Sequence, residues 1–190
     1  MGEIFLIRHG QASIHAEDYD NLSEAGARQA EALGRVLIAR GVRPDAIWCG
    51  TLRRHRQTAE ACLAAMGLPL RWQVDAGWDE YDHRDLLRAY DPRYAERDVM
   101  LADLSASEDP MLAFQKLYAA VLDRWVEGAH DADYALSWTG FCARVEAALD
   151  RARAAAGGDA HAIVFTSGGP IAAACRSLLQ IPDKPAMRLA

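Results

Sequence analysis

The stretch Glu3-Ile4-Phe5-Leu6-Ile7-Arg8-His9-Gly10 decides the fold. It is a short apolar run ending on an arginine, a histidine and a glycine, the pattern of a buried strand running into a loop. Its counterpart lies near the other end of the chain, where Ala162-Ile163-Val164-Phe165-Thr166 enters Ser167-Gly168-Gly169-Pro170. Between them, Ala46-Ile47-Trp48-Cys49 and Leu70 to Val74 read as two further strands. The intervening stretches carry helical spacing. Asn21-Leu22-Ser23-Glu24 introduces a first helix, in which Ala27, Ala30, Leu33, Leu37 and Ile38 line one face and Gly41 supplies a stop. Helices are also predicted from Leu52 to Met66, over 111–127, over 138–156 with Gly157-Gly158 as its end, and after Pro170 to about Leu179. The polar, charged stretch from Asp79 to about Asp109 reads as loops and short helices, part of an insertion at about 82–135. Strands alternating with helices predict an α/β fold, a single domain over 1–190 with three α/β/α layers and a mostly parallel sheet.

Length and composition agree. One hundred and ninety residues, 51% hydrophobic and 25% charged, suit one soluble globular domain with a sizeable core. The net charge of −6 argues against nucleic acid as a partner, because phosphate backbones call for a basic face. It leaves room for a small anionic substrate held by a few arginines. Cys49, Cys62, Cys142 and Cys175 have neither disulfide nor zinc spacing and read as small hydrophobes in a reducing compartment. No apolar run is long enough for a membrane span, and no signal region opens the chain, so a cytoplasmic location is expected.

Ligands of parallel sheets sit at the carboxyl ends of the strands. Arg8-His9-Gly10 and Ser167-Gly168-Gly169-Pro170 both fall there. The two glycines let backbone N–H groups approach an anion, with the positive end of the following helix behind them. Pro170 fits the first helical turn. A neutral imidazole beside an arginine suits attack on phosphorus, since the guanidinium fork binds two phosphate oxygens. Gly10 allows a sharp turn and brings a backbone group within reach of the second ring nitrogen.

Four or five ordered segments carry a resemblance. Leu6-Ile7-Arg8-His9-Gly10-Gln11 is followed by Leu22-Ser23-Glu24-Ala25-Gly26-Ala27-Arg28-Gln29-Ala30, similar to L-[ST]-x-x-G-x-x-Q-A. Leu52-Arg53-Arg54-His55-Arg56-Gln57-Thr58-Ala59 is similar to L-x-R-[AS]-x-Q-T-A, and Asp79-Glu80 and Val164 to Gly169 complete the set. In that order they resemble the histidine phosphatase superfamily, also called phosphoglycerate mutase-like. The resemblance implies that fold, with a phosphohistidine on His9 and with Arg8 and Arg54 clamping the phosphoryl group. It makes Glu80 the carboxyl that protonates the leaving oxygen and then activates water. Asp79 and Asp82 are the neighbours that could take its place. Gln11, Ser13 and the backbone at Gly10 and Gly168 are further phosphate donors. No cofactor is expected, arginines and helix ends serving as charge stabilisers, and His83 with Asp82 and Asp85 lacks metal-ligand spacing.

One position departs from the pattern. The family usually has a second histidine at the end of the fourth strand, and this chain has Ser167. A hydroxyl donates but carries no charge, and losing one preorganised donor costs about 10²–10³ in rate. His55, His83 and His161 are candidates to compensate, and Ser167 as a mere helix cap is the plain alternative. The expected function is therefore hydrolysis of a phosphomonoester through phosphohistidine. A catalytically weak phosphate- or phosphoprotein-binding module is the alternative, and a phosphoglycerate mutase is a third reading. Expected partners are a small phosphomonoester or phosphate, with a homodimer left open, and neither nucleic acid nor membrane. Trp125, Trp138 and Phe141 read as core. By resemblance one more edge strand should follow the last helix, and only Met187-Arg188-Leu189 could contribute to it, which leaves truncation or an open edge as the alternatives.

Overall fold

Ala162–Thr166 (β4) is buried at every residue because it is an inner strand, flanked by Ile4–Arg8 (β1) and Ala46–Cys49 (β2). A computed structural model of the chain describes residues 2–13, 20–156 and 160–189. The sheet has four strands in the order β1-β4-β2-β3, and every pairing is parallel. The last strand, Gln73–Val74 (β3), is two residues long, shorter than the predicted 70–74, and both of its residues are exposed. An outer strand with no apolar face to bury gains little by extending.

The helices are Glu24–Ala39 (α1), Arg53–Ala65 (α2), His83–Tyr90 (α3), Arg97–Ser105 (α4), Pro110–Glu127 (α5), Trp138–Ala156 (α6), Gly168–Leu179 (α7) and Asp183–Met187 (α8). They cover the sheet on two sides, as the three-layer reading expects. Ala30, Leu37, Cys62 and Leu63 of α1 and α2 pack with Ile7, Ile163 and Phe165 on one face. On the other, Trp125, Trp138, Phe141 and Val145 of α5 and α6 form the core with Trp78 and Val164. Trp125, Phe141 and Val145 are wholly buried, the core role expected of the aromatics.

The insertion resolves into α3, α4 and α5 with single turns at Pro92–Ala95 and Asp131–Asp133. Two of its arginines pair with its own aspartates, Arg88 with Asp85 and Arg93 with Asp91 and Asp103. Of the residues that could have contributed to a further edge strand, Met187 instead closes α8 and is buried against the core. Arg176 of α7 holds α8 through Asp183. The stop expected at Gly157-Gly158 lies outside the described residues. Among the described residues, no helix is long and apolar enough to cross a membrane.

Candidate active site

Register sets the site. Arg8 pairs with Thr166 across β1 and β4, and Cys49 with Phe165 across β2 and β4. The strands therefore end at nearly one level, and His9, Gly50 and Ser167 leave the sheet side by side. His9 N–H donates to Thr166 O at 2.9 Å, and Gly50 N–H to Phe165 O at 3.1 Å.

The His9 ring is held at both nitrogens. Nδ1 lies 2.7 Å from Gly10 O, which as an acceptor places the proton on Nδ1. The Nε2 lone pair is then free to receive the Arg54 Nε–H at 3.2 Å. Burial, with Arg54 and Arg8 nearby, lowers the His9 pKa to about 4 against the opposing Gly10 bond. The imidazole is neutral at pH 7.

Arg54 is buried, on the same face of α2 as Thr58, Ala59 and Cys62, whereas Arg53 and Arg56 point to solvent. Residues four apart share a helix face, which is why one arginine of the three turns inward. Thr58 Oγ1 donates to Arg54 O at 2.7 Å and accepts Gly10 N–H at 3.2 Å, so the helix also holds the His9 loop. Asp20, which the sequence reading missed, accepts Arg54 NH1 at 2.9 Å and the backbone N–H groups of Arg53 at 2.7 Å and Arg54 at 3.3 Å. It caps α2 from outside, because Leu52 at the cap position has no side chain that can.

Glu80 meets α7. Its Oε2 accepts Gly169 N–H at 3.2 Å, and its Oε1 accepts Tyr81 N–H at 3.2 Å. Burial raises its pKa above the usual carboxylate range, opposed by those two bonds and by Arg54 and Arg8. Asp79 points elsewhere, accepting Thr51 N–H at 2.6 Å and Thr51 Oγ1–H at 2.5 Å. Asp82 caps α3 through the N–H groups of Arg84 and Asp85. Of the three acids in this loop, Glu80 alone is bonded to the start of α7.

Ser167 is wholly buried, and its Oγ lies 2.6 Å from His55 Nε2. It makes no side-chain cap bond to α7, so the helix-cap alternative is set aside. Gly168 follows as the first residue of α7. Of the other histidines weighed as compensators, His161 sits at the opposite end of β4, bonded through its N–H to Asp45. His83 is an exposed residue that opens α3. Arg8 is exposed at the end of β1 within electrostatic reach of His9 and Glu80. Gln11 is engaged by α1, its N–H with Gln29 Oε1 at 2.9 Å and its Oε1 with Ser23 Oγ at 3.2 Å. Ser13 N–H donates to Asn21 O. Arg144 of α6 was also missed. It donates to Asp79 O and lies over the Phe141 ring, bracing the acidic loop from beneath. No group of three or more His, Cys, Asp or Glu residues with metal-binding geometry occurs among the described residues.

Known proteins resemble the chain in sequence and in fold. The profile of the histidine phosphatase superfamily (branch 1) matches residues 4–107, more than half of the chain. A 2,3-bisphosphoglycerate-dependent phosphoglycerate mutase of Chelativorans sp. (strain BNC1) is 34% identical over 92 residues, covering 45% of each chain. The chain thus spans less than half the length of that relative. Among solved structures, a mycobacterial glucosyl-3-phosphoglycerate phosphatase with inorganic phosphate is similar at 26% identity and a TM-score of 0.55, over 96% of this chain and 81% of that one. A phosphoglycerate mutase from Bacillus anthracis str. Sterne shares the fold, with a TM-score of 0.60 at 18% identity over 92% and 78% of the two chains.

Proposed function

Because the chain belongs to the histidine phosphatase superfamily (branch 1), we propose that it hydrolyses a small phosphomonoester through a phosphohistidine on His9. The observation that carries the reading is the His9 ring, with Nδ1 tied to Gly10 O and Nε2 beside the Arg54 guanidinium. That arrangement suits an in-line nucleophile whose target is clamped by an arginine.

In the first step the Arg54 N–H turns from Nε2 to a phosphoryl oxygen, Nε2 bonds to phosphorus as the ester P–O bond breaks, and the Glu80 carboxyl gives its proton to the departing oxygen. In the second, the Glu80 carboxylate takes a proton from water, the hydroxide oxygen bonds to phosphorus and the N–P bond breaks. Phosphate leaves with Nε2 and Glu80 restored. The raised pKa of Glu80 suits both halves, since it keeps its proton to a higher pH than an ordinary glutamate. Arg54, Arg8 and the N–H group of Gly168 are the proposed holders of the phosphoryl oxygens, and Gln11 and Ser13 border the same loop.

The test is turnover of an aryl phosphate by the wild type and by His9→Ala, with an acid-sensitive phosphoenzyme trapped by rapid quench. Metal-independent turnover that His9→Ala abolishes is expected. Wild-type inactivity from acid to neutral pH, together with measurable phosphate affinity, would instead favour the weak binding module that Ser167 suggests. The name of the Chelativorans relative keeps a mutase in view. Phosphoglycerate isomerisation that depends on a bisphosphate primer would favour it.

A further inference from the structure

The mechanism above leaves the His55–Ser167 pair unused. His55 is wholly buried on the inward face of α2. Its ring stands 5.8 Å, centroid to centroid, from the His9 ring. Nε2 is bonded to Ser167 at 2.6 Å, whereas Nδ1 is buried without a hydrogen-bond partner and faces Asp79 Oδ1 at 3.9 Å. A buried nitrogen left unpaired calls for a reason. The surroundings are shaped for it. A Cβ at Gly50 would stand 2.3 Å from Nδ1 and 2.8 Å from Asp79 Oδ1, so the glycine leaves the space in which the two face each other. Thr51 fixes Asp79 through both carboxylate oxygens.

We propose that His55 is a positioning residue for phosphoryl transfer, which takes up a proton on Nδ1 when the phosphoryl group binds beside His9 and places the resulting charge, held between Ser167 and Asp79, behind that group. The inference rests on the phosphatase reading. His55 occupies a position where the matched helix motif has alanine or serine, and Ser167 one where the family has histidine. The imidazole enters the same strand-end crevice from α2 instead of β4.

The charged groups facing His55 are Arg54 on its own helix, His9 after β1 and Asp79 after β3, with the Ser167 hydroxyl at the start of α7. In the free protein, burial, Arg54 and His9 hold it neutral, lowering its pKa to about 3. A phosphoryl dianion reverses the sign of that field, and the low dielectric that disfavoured the charge then strengthens its pairing. One proton passes from solvent to Nδ1 on binding and returns on release.

Calorimetry of orthovanadate and inorganic phosphate binding, repeated in buffers of different ionisation enthalpy at pH 7, reads this proton directly. We expect about one extra proton taken up by the wild type and by His9→Ala, beyond that explained by the anion's own titration, and none by His55→Gln. Glutamine keeps an N–H for Ser167 but takes no proton, so a merely structural histidine would be rescued by it. The expected loss for His55→Gln is about 10²–10³ in kcat with KM changed only severalfold, the size of one preorganised charge-stabilising group. The exchange variant His55→Ala with Ser167→His should recover at least tenfold over His55→Ala alone. Absent proton uptake in the wild type, or full activity of His55→Gln, would overturn the proposal. Loss of the phosphatase reading would show instead as an inactive wild type or an active His9→Ala.

Discussion

Replacing Gly169 with alanine puts a methyl group where Glu80 now lies. The added Cβ would stand 2.1 Å from Glu80 Oε1 and 2.8 Å from both Cδ1 and Cε1 of Tyr81. Contacts this short cannot be held. The carboxylate, as the free end of a flexible chain, should yield first, moving by about 1 Å or more to reach a carbon–oxygen contact near 3.3 Å. The fold should survive: overpacking costs about 1–3 kcal/mol, and replacing a helical glycine by alanine returns up to about 1 kcal/mol. The chemistry should not, because a displacement of about 1 Å costs around 10²-fold and a general acid contributes about 10²–10⁴. The assay compares two substrates. An alkyl phosphate needs a proton on its leaving oxygen, whereas p-nitrophenyl phosphate leaves as a stable phenolate. Gly169→Ala should lower kcat/KM by at least about 10²-fold on the alkyl ester and by much less on the aryl ester. Glu80→Gln should show the same split. Equal losses on both esters, with an unchanged thermal midpoint, would refute the assignment of Glu80 as the acid and of Gly169 as its support.

Arg54→Lys should weaken phosphate binding by more than tenfold and lower kcat/KM by about 10²–10³, since an ammonium cannot make the forked contact while also reaching His9; isothermal titration and steady-state kinetics check it. Gly50→Ala should behave like His55→Gln in the proton-uptake measurement, because the new methyl displaces the imidazole from Asp79. Stability should fall as pH drops below about 6.5. His9 and His55 have native pKa values lowered to about 4 and about 3, so in that window the unfolded chain binds more protons than the folded one. Each histidine contributes at most about 1.4 kcal/mol per pH unit. Glu80, whose pKa is raised, acts in the opposite direction above its ordinary value near 4.5. Comparing urea midpoints of the wild type and His55→Gln between pH 7 and pH 4.5 cancels that contribution, and the variant should show the shallower decline.

The main elements were legible because they are periodic or apolar. β2 and β4 and the helix over 138–156 have the predicted bounds, and α5 begins one residue earlier. What the residues could not reveal were contacts made across long separations. Asp20 sits in a polar stretch with no pattern, and its role becomes visible only from its place beside the first N–H groups of α2. Arg144 lies on a helix whose apolar face is clear, but a side chain at the edge of that face serves core or solvent equally well in sequence. The segment after α7 is helical for a local reason: Pro182 and Pro185 would deprive a strand there of two ladder N–H groups, whereas both fit the opening of the short helix found there. His55 had a signal, a polar residue sharing the buried face of Thr58, Ala59 and Cys62. Its partner could be found only from the register of β4.

Two adjacent residues of α2 do different work because successive helical positions are turned by about 100°. Arg54 directs Nε to His9 while its NH1 group rests on Asp20, which also holds the first N–H groups of the helix. The guanidinium is thus oriented before any substrate arrives, which is where electrostatic stabilisation is most effective. His55, one residue on, turns to the end of β4. The site therefore keeps an imidazole beside His9 without one on β4, provided that position 50 has no side chain and position 167 is small. Ser167 by itself reads as a loss; with His55 and Gly50 it reads as an exchange. That distinction has a consequence. Restoring histidine at position 167 in the presence of His55 should crowd the crevice and lower activity, and only removal of the His55 ring should let Ser167→His serve.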